Sequence, residues 1–239
     1  MSSKLVNGSQ PVVISLGGSM LFRQGGEIDD GYIADFAELV GENHSKGLKF
    51  AILVGGGKTN SEYARAVRAL ADNEFLADRV GISVTRLNAQ LLIAAMEGIA
   101  YPRVLTDFDN AVDALREGLT PVMGGMLEGI TTDTDAVLLA ERIGAKTLLN
   151  LSNVEAVFDS DPKVNPKAKK YSSMSHAQLV ELASRSDDRR ARTHFVFDLI
   201  ACKLAARSGI AVHFIHGRKL DEVQKAIDGK GHSGTVVRS

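Results

Sequence analysis

The chain is short of several things, and each shortage closes a class of answers. A single cysteine, Cys202, in 239 residues cannot form an internal disulfide, which suits a reducing cytoplasm. No apolar run approaches the length needed to span a bilayer, and the opening MSSKLVNGSQ lacks the apolar core of an export signal, so neither a membrane partner nor secretion is expected. Charge of one sign is also missing: 28 basic residues nearly balance 29 acidic ones, giving a formal net charge of −1. Without a global field there is no sequence argument for a nucleic-acid partner, and any anionic ligand must be held by local groups. The six histidines are scattered, and no Cys/His cluster has metal-ligand spacing, so no protein-held metal site is expected.

Two common phosphate signatures are missing as well. Gly57, Lys58 and Thr59 resemble the end of a P-loop, but its first glycine would fall on Ile52, inside an apolar run. A G-x-G-x-x-G fingerprint starting at Gly55 and Gly57 meets Asn60 at its last place. An ordinary P-loop NTPase and a Rossmann dehydrogenase are thereby set aside.

What is present is an ordinary globular composition, 44% hydrophobic and 24% charged, on a chain long enough to bury a sizeable core without disulfide or metal staples. Apolar runs alternate with helical spacing throughout. Strands are expected at Val12–Leu16, Phe50–Val54, Val104–Leu105, Leu119–Met123, Thr147–Leu151, Ile210–Ile215 and Gly234–Val237. Helices are expected near Tyr32–Asn43, from Lys58 through Leu70, and at Val84–Gly98, Asn110–Glu117, Ala136–Ala140, Ser175–Ala183, Phe195–Arg207 and Leu220–Ile227. Asp161–Lys170 and Arg185–Arg192 read as surface loops, the first because it is rich in proline and lysine. This rhythm predicts an α/β fold, a mainly parallel sheet covered on both faces, with ligands at the carboxyl ends of the strands.

Three glycine turns follow strands, at Gly17–Gly18, Gly55–Gly57 and Gly124–Gly125, and are expected to converge on one crevice where bare backbone can wrap phosphates. A lone Gly-Gly is more simply a tight turn; three at strand ends are harder to explain that way. The central stretch PVMGGMLEGITTDTDAVLLAE, from Pro121 to Glu141, carries Thr131–Asp133 to a helix entrance, where free N–H groups favour an anion. Plain capping by Asp133 is the competing explanation there, and Asp78 before a helical stretch has the same alternative.

In order along the chain stand SLGGS at 15–19, VGGGK at 54–58, DRVGISVTRLNA at 78–89, MGGMLEGITTD at 123–133, LSNVEAVFDSDP at 151–162 and FDLIACKLAARSGI at 197–210. GGGK or TTD alone is weak, but six motifs in register over nearly the whole chain resemble the amino acid kinase superfamily, and within it the archaeal-type uridylate kinases. The resemblance implies one domain with a three-layer αβα sandwich, an acceptor half at about 11–145 and an ATP half at about 146–239. It implies magnesium-dependent transfer of phosphate from ATP to UMP, in a cytoplasmic homohexamer built from dimers. Position by position, it puts Gly17, Gly18, Ser19 and Gly57 on the ATP side, together with Ser152, Asn153, Phe158 and Asp161. Gly56, Asp78, Thr131, Thr132 and Asp133 fall to UMP, Asp133 also ordering the catalytic lysines, and Lys58, Lys203, Asp198 and Asp133 fall to catalysis. Such a division suits phosphoryl transfer, which needs alignment, backbone donors and cations more than covalent help.

The chain departs from the pattern in three places. Ser15 stands where many superfamily members carry a lysine, although the archaeal-type branch also lacks it. Ser61 stands where the family often has an arginine, with Arg65 one turn on as a candidate replacement. Glu155 and Ala156 replace the usual Asp-Gly of the nucleotide loop. Competing assignments are a sister kinase for isopentenyl phosphate, acetylglutamate or carbamate, and a non-catalytic nucleotide or oxyanion binder.

Overall fold

The computed structural model describes residues 10–160, 162, 164–186 and 197–239. Three of the expectations above, the site residue Asp161, most of the charged loop Arg185–Arg192 and the start of the helix near Phe195, lie outside the described residues. Seven strands form one sheet: β1 Val12–Leu16, β2 Phe50–Val54, β3 Val122–Met123, β4 Thr147–Ser152, β5 Ser173–Met174, β6 Ala211–His216 and β7 Thr235–Val237. Their order across the sheet is β3-β2-β1-β4-β6-β7-β5. Every pairing is parallel except β6 with β7. The closing strand is thus the antiparallel exception, and it shields the β6 side of the sheet.

The helices are α1 Asp30–Ser45, α2 Gly57–Ala71, α3 Glu74–Ala95, α4 Phe108–Arg116, α5 Thr132–Ile143, α6 His176–Ser186, α7 Leu199–Ser208 and α8 Leu220–Ile227, with one 3-10 turn at Gly18–Leu21. Strand alternation sorts them into two layers. Val12, Ile14 and Leu16 of β1 pack with α1, α3 and α8 around Phe36, Leu92 and Val223. Val13 and its neighbours in β2, β4 and β6 pack with α4 to α7 around Leu139, Phe197 and Phe214. The result is the three-layer sandwich with a mainly parallel sheet that the strand and helix rhythm calls for, and α2 lies outside it, packed against α3.

Four boundaries differ from the sequence reading. Helix α3 begins at Glu74, ten residues before Val84, because Asn73 caps it through a bond from the Leu76 N–H (3.0 Å). Val104–Leu105 is no strand; Leu105 makes one isolated bridge to Met123, and β3 itself shrinks to two residues at the sheet edge. Helix α7 starts only at Leu199, since Asp198 is its cap (Ala201 N–H to Oδ1, 2.9 Å). Finally, β5 has only two residues and shows no periodicity to read.

In chain order the strands run outward from β1 to β2 and β3 on one side, then resume beyond it with β4. Such a reversal opens a crevice at the carboxyl ends of the two central strands. There the Gly17 N–H donates to the Leu151 carbonyl and the Gly55 N–H to the Leu16 carbonyl, both at 2.8 Å, so the first two glycine turns begin side by side.

Candidate active site

Two glycine turns meet backbone to backbone. A Cβ on Gly18 would lie 2.3 Å from the Gly55 carbonyl oxygen and 2.4 Å from the Gly57 nitrogen, and one on Gly57 would lie 2.7 Å from the Gly18 carbonyl carbon. Gly57 also has φ +64°, the left-handed region that an L side chain resists. These turns have no room for side chains, and Ser19 follows in the 3-10 turn. The third pair does not join them. Gly124 and Gly125 lie against α3 instead, with the Gly125 N–H donating to Thr85 Oγ1 at 2.7 Å. The third turn therefore reaches the crevice through Gly125 but makes no backbone contact with the other two, because β3 ends at the sheet edge, one strand beyond β2.

Beside the meeting point opens a cavity of about 350 Å³ between α2, α3 and the loop leading into α5. Gly56, Asp78, Thr131 and Thr132, four of the five residues expected on the acceptor, line it, together with Gly125. Asp78 is within α3 rather than at its start, so capping does not explain it; its Oδ2 accepts the Gly129 N–H at 2.8 Å and ties down the loop. Helix α3 thus fixes two walls: Asn88 Nδ2 donates to the Gly55 carbonyl at 2.8 Å, while Thr85 and Asp78 hold the 124–130 loop. Arg68 is the one cationic side chain among the described lining residues; its Nε sits on Glu74 (2.8 and 2.9 Å). Arg65, the candidate substitute for the missing arginine at Ser61, does not line the cavity.

Beyond Thr131 and Thr132 of the lining, at the entrances of α5 and α7, is a group of carboxylates. Thr131 caps α5, its Oγ1 accepting from the Thr134 N–H (3.3 Å), which removes capping as the explanation of Asp133. Asp133 reaches the sheet instead: its Oδ1 accepts from Ser15 Oγ at 2.8 Å and from Asn150 Nδ2 at 2.7 Å. Ser15 points there because β1 alternation turns it toward the α5 layer. Desolvation pushes the Asp133 carboxyl up to about 7, aided by the nearby charge of Asp198 and opposed by the bonds from Ser15 and Asn150. Asp135, buried two residues further along α5, is raised to about 6, again mainly by desolvation; its Oδ2 accepts the Met126 N–H while Oδ1 has no partner among the described residues. Asp198 accepts from Thr131 Oγ1 (2.5 Å) and Thr134 Oγ1 (3.0 Å) as well as capping α7, joining the two helix entrances.

The expected cations are more loosely placed. Lys58 stands at the second position of α2, beside Gly57, with its ammonium exposed and paired to Glu62 at 3.6 Å. Lys203 is exposed on α7 and shows no bond among the described residues. Among the described residues neither forms a hydrogen bond or ion pair with Asp133, whose side chain bonds Ser15 and Asn150. Among the described residues no group of three or more His, Cys, Asp or Glu side chains is placed to hold a metal ion. On the other side of Gly17, β4 leads into Ser152 and Asn153, with Ser152 Oγ accepting the Val154 N–H at 3.2 Å. Phe158 is half-buried and bridges to Lys170. Glu155, the departure from Asp-Gly, binds Lys219 at 2.9 Å, and Ala156 is fully buried.

The sequence reading missed Asn60, Arg68, Asp135 and Asn150. Only Asp135 carried a signal, as a charge on the apolar face of a helix.

Comparison with known proteins follows the same lines. The model of the amino acid kinase family matches residues 10–216. Uridylate kinase of Thermococcus kodakarensis is 40% identical over 229 residues, covering 95% of this chain and 98% of that protein. Uridylate kinase of Archaeoglobus fulgidus is 40% identical over 226 residues, 95% of this chain and 99% of that one. The crystal structure of Archaeoglobus fulgidus uridylate kinase superposes with a TM-score of 0.83, covering 95% of this chain and 100% of that one at 38% identity. The UMP kinase structure from Bacillus anthracis shares the fold, with a TM-score of 0.80 at 22% identity.

Proposed function

The chain belongs to the amino acid kinase family, and from that premise we propose that it is a nucleoside monophosphate kinase transferring the γ-phosphate of ATP to UMP, giving UDP and ADP. The observation that carries this reading is a cavity of nucleotide size opening beside two interlocked glycine turns, with Asp133, next in the chain after the lining residues Thr131 and Thr132, tied to the sheet through Ser15 and Asn150. UMP would occupy the cavity, its ribose at Asp78 and its base toward Thr131 and Thr132. Its phosphate would face the Gly18–Gly57 contact, where ATP approaches from Gly17, Ser19, Ser152, Asn153 and Phe158. The halves at about 11–145 and 146–239 then hold acceptor and donor respectively.

In this reading an oxygen of the UMP phosphate attacks the γ-phosphorus in line, and the bond to the β-γ bridging oxygen breaks toward ADP. Backbone N–H groups of the glycine turns and the ammonium groups of Lys58 and Lys203 offset charge on the equatorial oxygens. Magnesium supplies charge neutralisation when carried in by the nucleotide phosphates. Asp133 fits such a cation, since its Oδ1 is held by Ser15 and Asn150 while Oδ2 shows no hydrogen bond among the described residues. With a cation bound there, the Asp133 carboxyl would be held ionised. Asp198 acts by holding the entrances of α5 and α7 together.

A coupled ADP-release assay with a panel of acceptors tests the assignment. Turnover should require UMP; turnover with isopentenyl phosphate and not UMP overturns the acceptor, and ATP binding without any turnover favours a binder. We further propose a cytoplasmic homohexamer, for which light scattering showing a stable monomer at micromolar concentration is the contrary result.

A further inference from the structure

Asn60 sits one turn inside α2, on the floor of the acceptor cavity, in a slot made by two glycines. A Cβ on Gly56 would lie 2.3 Å from the Asn60 Cβ, and a Cβ on Gly81 of α3 would lie 2.5 Å from its Oδ1. A side chain at Gly81 would evict the amide, and one at Gly56 would collide with the base of the Asn60 side chain. Within the slot, Oδ1 is fully buried and has no hydrogen-bond partner among the described residues. Nδ2 also has no hydrogen-bond partner among the described residues but, unlike Oδ1, keeps some exposure, on a residue that lines the cavity. A folded chain that buries an unpaired carbonyl gives up stability, because that oxygen loses its water without gaining a donor. An alanine at this position would avoid the loss.

The position is also telling. Gly56 belongs to the turn that interlocks with Gly18, so Asn60 borders the end of the cavity where phosphate must change hands. Beside it stands Ser61, where no cation is available, and Arg68 lies two turns further along α2, about 12 Å away in helical rise. Among the described lining residues, then, the end of the cavity at Gly56 has no cationic side chain, while Asn60 offers a side-chain N–H donor there.

We propose that Asn60 is an acceptor-binding residue, its Nδ2 donating to a phosphate oxygen of the nucleoside monophosphate, and that Gly56 and Gly81 are glycines so that this amide can lie flat in the cavity floor. The inference deepens the kinase reading and rests on it for the identity of the acceptor. A donor to an anionic oxygen is worth enough that its loss reads as a roughly 10- to 100-fold weakening.

The test is calorimetric titration of UMP into the full-length protein and its N60A, N60S and N60D variants, with Michaelis constants for both substrates and melting temperatures alongside. N60A and N60S should raise the Kd and KM for UMP by that factor and leave the KM for ATP within twofold. Their melting temperatures should not fall, because the buried unpaired oxygen is gone. N60D, which sets a carboxylate against the phosphate, should bind UMP more weakly than N60A. Equal UMP affinity in N60A and wild type overturns the inference, as do equal losses for UMP and ATP, or wild-type protein that binds no UMP. Binding of UMP without turnover by the wild type counts against the kinase reading instead, and the variants still decide the role of Asn60.

Discussion

Replacing Asp133 by Asn separates the account from a structural one because it moves activity and stability in opposite directions. The carboxyl is ordinarily half-ionised near pH 3.8 and is pushed up to about 7 in the folded chain, chiefly by desolvation. Between those values the folded state holds a proton that the unfolded state has released. Stability then falls as pH rises, by roughly 1.4 kcal/mol per pH unit, and the full loss is reached above pH 7. Asparagine never ionises, keeps an oxygen for Ser15 and Asn150, and removes this loss. The ligand-free variant should therefore melt higher than wild type at pH 8, by several degrees if about 2 kcal/mol of the effect survives relaxation, and at the same temperature at pH 4. Turnover should drop on the order of 100- to 1000-fold, the usual cost of removing one electrostatic contact to a transition state. Differential scanning calorimetry at pH 4, 6 and 8, with kcat at pH 8, reads both. A variant with near-normal turnover, or one that melts lower than wild type at pH 8, refutes the reasoning.

Gly18→Ala puts a methyl group 2.3 Å from the Gly55 carbonyl oxygen, so the two turns must separate; a loss of about 1–3 kcal/mol in a denaturant titration is expected together with loss of turnover. Gly81→Ala, ordinarily favourable inside a helix, should lower the melting temperature here because it meets Asn60 Oδ1 at 2.5 Å, and adding Asn60→Ala should restore it. Arg68→Ala should raise the KM for UMP roughly fivefold through the loss of about 1 kcal/mol at the sugar end, with a melting temperature near that of wild type because its pair with Glu74 is exposed. Asp135→Asn should remove a second pH-dependent loss, between pH 4 and about 6, visible as a shallower fall of melting temperature over that range.

The sheet and its layers were largely legible because β1, β2, β4 and β6 are long apolar runs between glycines and amphipathic helices. Features built from few residues were not. Strands β3 and β5 have two residues each, too few for a period to show. The start of α3 was hidden because Arg79 and Gly81 interrupt the apolar spacing, and the cap at Asn73 is recognisable only once the helix is known. At the site, Gly18 and Gly57 could be read as phosphate turns, but their mutual contact depends on β1 and β2 being neighbours in register. Asn60 had no signal, since the glycines that make its slot stand at 56 and 81, on different elements. Arg65 was the wrong helical phase: the inner face of α2 repeats at Ser61, Ala64 and Arg68, spacings of three and four that skip it. The lysines show the opposite limit, for a charged side chain on a helix can be named from sequence while the position of its ammonium group depends on what it meets.

The central claim is that one phosphate passes from ATP to UMP across the Gly18–Gly57 contact. Incubating the protein with ATP labelled in the γ-phosphate, magnesium and UMP, then separating the nucleotides, measures that transfer directly. The account predicts label in UDP in proportion to ADP formed, with Asp133→Asn reduced at least 100-fold. Label appearing only as inorganic phosphate, or remaining in ATP while UMP is recovered unchanged, contradicts it.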